Sequence, residues 1–299
     1  MKFELITILG PTATGKTKLA VRLAEYFNGE IISADSRQVY KRMNIGTGKD
    51  LDEYNYNGKA IPYYLIDLMD PTEEFNLFLF KEYFKNYFND ISARNKIPFL
   101  VGGTGLYLSS ILSNYNLATA NFGNEVDKLS NFSDNELKKM LLDLNQKLHN
   151  TTDLKDRNRI IKAIIISKTD QGEDQSSAIN SFNIGITLPR DEINNRITRR
   201  LKKRLSSGMI EEVKSLLDSG ISYDKMLFFG LEYKFIAQYL NGELNYNDMF
   251  QKLNSAIHSF AKRQMTWFRK MESEGININW VNGPDFNKAK ELIERGFAG

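Results

Sequence analysis

The segment Gly10-Pro-Thr-Ala-Thr-Gly15-Lys16-Thr17 fits Gly-x-x-x-x-Gly-Lys-Ser/Thr, and no other feature of the chain restricts its fold as strongly. An apolar run, Leu5–Leu9, precedes it, and a stretch with Leu19, Ala20, Leu23, Ala24 and Phe27 on one helical face follows it. The order is therefore strand, phosphate loop, helix. Glycines let the loop amides turn inward, and the helix N-terminus adds about half a positive charge. Lys16 is placed to neutralise terminal phosphate oxygens and the Thr17 hydroxyl to ligate Mg²⁺. Gly10, Pro11, Thr12, Ala13, Thr14, Gly15, Lys16 and Thr17 are the expected binding set for a di- or triphosphate, which the motif alone does not require to be a nucleotide.

The pattern around the loop extends the argument to the whole chain. Short apolar runs at Leu5–Leu9, Glu30–Ser33, Tyr63–Leu68 and Pro98–Val101 alternate with helical periodicity over Lys16–Phe27 and Phe78–Arg94. Such alternation predicts an α/β fold, a P-loop NTPase-like parallel sheet flanked by helices. From about Asn114 polar residues dominate and strand signals stop, which predicts a small, mainly helical insertion over residues 114–181, with a helix over Glu136–Leu148. Residues 1–113 and 182–299 form the expected core, resumed by a strand at Phe182–Leu188. Helices are predicted at Glu192–Ser206, Met209–Ser219, Tyr233–Leu240 and Tyr246–Phe268, and a last strand at Ile276–Val281.

In a parallel sheet ligands gather at the carboxyl ends of strands, where Asp35 closes the second run. A carboxylate there serves as a general base or a metal ligand, although aspartate at a strand end also serves as a turn former. Asp67 is a rival of the same kind, and the sequence does not rank the two. Gly102-Gly-Thr104-Gly105 ends another strand and opens a helix at Leu106–Leu112, giving either a tight turn or a backbone that a ligand approaches closely, with Thr104 at its rim.

Composition narrows the chemistry. There is no Cys, and the two His, His149 and His258, are far apart, so disulfides, thiol nucleophiles and zinc ribbons are excluded and any metal must use oxygen ligands. The start, MKFELITILGP, reads as neither a signal peptide nor a membrane span, and a cytoplasmic protein is expected. The net charge of +3 is uneven: residues 155–204 hold 12 basic and 6 acidic side chains, net +6. This hints at an anionic partner, although basic helix faces are also simply solvated.

Taken together, the segments GPTATGKT, SADSRQVYKRMNIGTGK, LIDLMDP, KIPFLVGGTGLYL, DRNRIIKAI, LPRDEINNRITRR and AKRQMTWFR resemble, in order, the tRNA dimethylallyltransferase (tRNA isopentenyltransferase) family. The resemblance runs from Gly10 to Arg269 and is poorest between about Asn114 and Leu154. It implies that the loop holds dimethylallyl diphosphate, with Mg²⁺ at Thr17, and that the prenyl group passes to N6 of adenosine 37 beside the anticodon of tRNA. It implies catalytic roles for Asp35 as base, Lys16 and Thr104, and a diphosphate clamp at Arg196. By the same resemblance tRNA is held by Asp35, Ser36, Arg37, Gln38 and Thr104, by Asn158, Arg159, Ile160, Ile161 and Lys162, and by Lys262, Arg263 and Gln264. Tyr107, Trp267 and Phe268 are candidate stacking platforms, set against ordinary core packing. The partners expected are the tRNA anticodon arm and dimethylallyl diphosphate, with no membrane, for a monomer. Two other readings are prenyl transfer to a free adenine nucleotide and an ATP-using P-loop kinase or RNA-binding protein.

Overall fold

The computed structural model describes residues 3–113, 128–144, 157, 160, 161, 164 and 179–298. The chain divides into two units, residues 1–114 with 178–299, and residues 115–177.

The first unit is built on six parallel strands. These are β1 (Leu5–Leu9), β2 (Gly29–Ala34), β5 (Tyr63–Tyr64), β6 (Ile97–Gly102), β7 (Ser181–Thr187) and β8 (Asn279–Asn282), in the order β5-β2-β6-β1-β7-β8. β3 (Asn55–Tyr56) and β4 (Lys59–Ala60) form a separate hairpin around Asn57-Gly58, both at positive φ, a turn signal the sequence carries openly. β1 lies between β6 and β7, with Ile8 opposite Val101 on one side and Ile184 on the other.

All five β1 residues are buried, as strands covered on both faces must be. Their alternation separates two cores. Leu5 and Leu9 join Ile32, Ala34 and Leu100 on one face, whereas Ile6 and Ile8 join Ile31, Phe99, Ile184 and Ile186 on the other. The second face is covered by α1 (Lys16–Tyr26), through Leu19, Ala20, Leu23 and Ala24, and by α10 (Phe286–Ala298), through Ala289 and Ile293. The first face takes α2 (Leu77–Ala93), α3 (Gly105–Leu112), α5 (Arg190–Ser206), α6 (Met209–Asp218), α7 (Tyr223–Phe229), α8 (Leu231–Leu240) and α9 (Tyr246–Ser273). α9 buries Met249, Leu253, Ile257, Ala261, Gln264, Phe268 and Met271, an apolar stripe at three- and four-residue spacing with one amide in it.

One predicted strand differs, and three helical elements were not predicted. The strand expected over Tyr63–Leu68 stops at Tyr64 because Leu65 and Asp67 adopt positive φ, 62° and 52°, which no strand continues. Helices α7 and α10 and a 3₁₀ turn at Leu51–Tyr54 were not anticipated by the periodicity.

In the second unit, α4 (Asp134–Leu144) contributes Leu137 and Leu141 to a cluster with Leu129, Ile160, Ile161 and Ile164. Among the described residues no helix is long and apolar enough to cross a membrane.

Candidate active site

The carboxyl ends of β1, β2 and β6 open onto one cavity of about 390 Å³. The phosphate loop forms one wall. Gly15, at φ 87°, is the N-cap of α1 and supplies no side-chain cap, so the first amides of the helix remain available to an anion. Thr14 turns inward, its hydroxyl donating to Pro11 O at 2.9 Å, and Lys16 Nζ donates to the same carbonyl at 2.7 Å. Burial and the neighbouring Arg200 push the Lys16 ammonium down to about 7, with Asp35 opposing them. Lys16 is thus poised where a bound anion decides its charge.

A single side chain fixes the loop to its neighbour. Gln264 Oε1 accepts from Thr12 N–H and Gln264 Nε2 donates to Gly103 O, both at 2.8 Å. Gly103 permits this, because a Cβ there would lie 2.3 Å from Gln264 Nε2.

Asp35 stands opposite the loop. Its Oδ1 accepts from Arg37 N–H (2.8 Å) and Gln38 N–H (3.2 Å), which aims the carboxylate while the second oxygen keeps its lone pairs. Thr104 Oγ1 accepts from Ser36 N–H at 3.1 Å, joining the loop after β2 to the N-cap of α3. The rival acid is resolved by its partner: Asp67 forms an ion pair with the buried Lys49 at 2.5 Å and does not line the cavity. A second chamber of about 360 Å³ shares Thr12, Asp35, Thr47, Arg200 and Phe260 with the first and adds Ser36, Thr104, Glu232, Tyr233 and Arg263. Asp35 therefore faces both.

Another wall is cationic, facing Asp50 and Glu53 on the same cavity. Arg196, Arg199, Arg200 and Lys203 project from one side of α5 into the cavity. Arg196 is held by Glu192 at 2.7 Å, and the arginine that reaches the loop is Arg200, whose Nη2 donates to Thr12 Oγ1 at 2.5 Å. Burial and the adjacent Arg204 lower Arg200 to about 10. The signal for Arg200 was present as basic residues at 196, 199, 200, 203 and 204, the spacing of one helix face.

Gln38 is oriented by a loop that α6 holds. Its Nε2 donates to Thr47 O (3.4 Å) and Gly48 O (3.2 Å). The Glu212 carboxylate in turn accepts from Asn44 N–H (2.8 Å), Ile45 N–H (2.7 Å), Gly46 N–H (3.0 Å) and the Tyr233 hydroxyl (2.8 Å). No sequence motif marks Glu212.

Several expected contacts take other places. Arg37 lines the second chamber and also donates to Phe229 O (2.8 Å) and Phe228 O (3.1 Å), tying down the end of α7. Ile160 and Ile161 are not surface contacts, since both are buried in the second unit's core. Asn158, Arg159 and Lys162 lie outside the described residues. Lys262, Arg263 and Gln264 diverge: Lys262 lines a separate groove, Arg263 the second chamber, and Gln264 is largely buried between the two loops and lines the catalytic cavity. Tyr107 and Phe268 are core side chains, Tyr107 stacked on Phe80 with centroids 4.1 Å apart, while Trp267 is half-buried and donates to Ser109 Oγ at 3.4 Å.

A phosphate loop at the head of a parallel sheet, faced by a carboxylate and a wall of arginines, defines a P-loop-like α/β protein that handles an anionic substrate. A family model described as IPP transferase matches residues 38–271, and one described as isopentenyl transferase matches residues 3–64. The chain is 50% identical over 285 residues to tRNA dimethylallyltransferase 2 of Trichlorobacter lovleyi, covering 94% of this chain and 92% of that protein. It is 50% identical over 297 residues to tRNA dimethylallyltransferase 1 of Geotalea uraniireducens, covering 98% and 97%. The crystal structure of the full-length tRNA isopentenylpyrophosphate transferase of Bacillus halodurans superposes with a TM-score of 0.70 at 33% identity, covering 98% of this chain and 94% of that one. The chain belongs to the IPP transferase family of tRNA dimethylallyltransferases, and it is a transferase.

Proposed function

We propose that this chain transfers the dimethylallyl group of dimethylallyl diphosphate to N6 of adenosine 37, beside the anticodon of tRNA, and releases diphosphate. The observation that carries this reading is the junction at Asp35, whose carboxylate stands between a phosphate-loop cavity and a second chamber. Such an arrangement suits a donor entering from one side and an acceptor base from the other.

The residues divide the work accordingly. Diphosphate is held by the amides of Gly15–Thr17, by Lys16, and by Arg200 with its neighbours on α5, and these charges stabilise the anion as it departs. An exocyclic adenine amine is a weak nucleophile, so a carboxylate must take its proton as the allylic carbon is attacked. Three acids line the cavity, Asp35, Asp50 and Glu53, and of these Asp35 alone also faces the second chamber, with Thr104 holding the turn that aims it. The adenine leaves its stack to enter the second chamber, as base-modifying enzymes require. The Thr17 hydroxyl is a hard oxygen donor on the cavity and fits Mg²⁺ completed by diphosphate oxygens; when bound, the ion would supply further neutralisation of the leaving group.

The test offers the purified protein labelled dimethylallyl diphosphate with unmodified tRNA or with AMP. Label in tRNA at adenosine 37 is expected. Label in AMP alone would establish the free-nucleotide reaction instead, and label in neither acceptor would overturn prenyl transfer.

A further inference from the structure

The loop that follows β2 borders both chambers: Thr47, Gly48 and Asp50 line the catalytic cavity, and Gly46 and Thr47 line the second chamber. Its position is set by a carboxylate that lines neither. Glu212 Oε2 accepts from the amides of Asn44 and Ile45, and Oε1 accepts from the amide of Gly46 and the Tyr233 hydroxyl. Burial, with Glu212 beside it, holds that hydroxyl well above its ordinary value, so it remains a donor. The loop lies directly against two side chains. A Cβ at Gly46 would stand 2.8 Å from the Tyr233 ring, and one at Gly48 would overlap the Arg204 guanidinium. Gln38 then links the loop to the base: its side-chain amide donates to Thr47 O and Gly48 O, and its backbone N–H donates to Asp35 Oδ1.

We propose that Glu212 is a positioning residue for prenyl transfer, acting through the 44–48 loop and Gln38 on the acceptor side of Asp35; the proposal rests on the tRNA reading above. An ionised carboxylate is acceptor-only and matches four donors. A glutamine there would offer one accepting oxygen and turn its own N–H groups toward the loop amides. The loop, pressed on Tyr233 and Arg204, can then move only away from them, taking Thr47 and Gln38 with it. Misplacement of a reacting pair by about 1 Å costs about 10²-fold in rate. The diphosphate side is held independently, Lys16 by Pro11 O, Arg200 by Thr12 Oγ1 and Gln264 by Thr12 N–H and Gly103 O. Glu212 is therefore felt in the transfer step and not in donor binding.

The experiment measures kcat and KM for prenyl transfer to unmodified tRNA by the wild type, Glu212→Gln, Gln38→Ala and the double variant. Glu211→Gln, at the exposed neighbour on α6, is the charge-matched control. Glu212→Gln should lower kcat by about 10²-fold and leave the KM for dimethylallyl diphosphate unchanged. In the Gln38→Ala background the same substitution should change kcat by less than about threefold, because its path to Asp35 is already cut. A purely structural role would instead lower kcat equally in both backgrounds, and that result overturns the proposal. Wild-type kcat in Glu212→Gln, or an equal loss in Glu211→Gln, overturns it too. If Glu212→Gln does not fold, Tyr233→Phe removes one of the four donors and keeps the ring. Its kcat should fall about three- to tenfold at unchanged donor KM, and an unchanged kcat overturns the proposal. Each of these outcomes leaves the tRNA reading intact, whereas absence of transfer by the wild type overturns both.

Discussion

A lysine lowered to about 7 in the free protein makes donor binding a titration, with a sign that can be stated in advance. Lys16 is charged below that value and neutral above it, and only the charged form pairs with diphosphate. Bound diphosphate stabilises the ammonium, so binding above about pH 7 must draw in one proton. From about pH 7.5 to 9 the charged fraction of a group titrating at 7 falls about 25-fold, and the dissociation constant should rise by that factor. An ordinary lysine at 10.5 would lose only about 3 per cent of its charge over the same interval. Calorimetry with inorganic diphosphate, repeated in buffers of different ionisation enthalpy, reads both the affinity and the proton. Diphosphate and the other site groups also titrate, so Lys16→Arg is the comparison: guanidinium stays charged throughout, and its affinity should be nearly level. A wild-type affinity as level as that of Lys16→Arg, with no proton taken up, would refute the assignment of a depressed lysine to the loop.

Two further outcomes follow from the geometry. Asp35→Asn keeps the turn to Arg37 N–H but removes the base, so prenyl transfer should fall by about 10²–10⁴ while diphosphate affinity changes little; wild-type turnover would eliminate Asp35 as the proton acceptor. Gln264→Leu leaves Thr12 N–H and Gly103 O without their partner and should lower stability by about 2–4 kcal/mol in urea denaturation, with weaker diphosphate binding, whereas an unchanged midpoint would show that water replaces the amide without loss.

The sheet was readable because it obeys few rules. Leu5–Leu9 is a short apolar run against a glycine-rich loop, and a strand buried on both faces has no other appearance. The phosphate loop was equally open, since its function requires backbone amides that only a particular spacing of glycines exposes. The choice between Asp35 and Asp67 was not readable. Both end apolar runs, and what separates them is Lys49, eighteen residues before Asp67 in the chain and brought to it by the fold. Glu212 was hidden for the same reason: three of its four hydrogen bonds reach a loop 166 to 168 residues away, and nothing local distinguishes it from any exposed helix glutamate. The triplet Lys262, Arg263 and Gln264 shows the limit of reading a motif as a unit. Successive helix residues point about 100° apart, so a contiguous segment is divided among three surroundings.

Among the described residues, six buried aliphatic side chains of the second unit form a core distinct from the two that flank the sheet. A unit whose apolar side chains satisfy one another can change in length and composition without reopening the problem of how the strands around β1 pack.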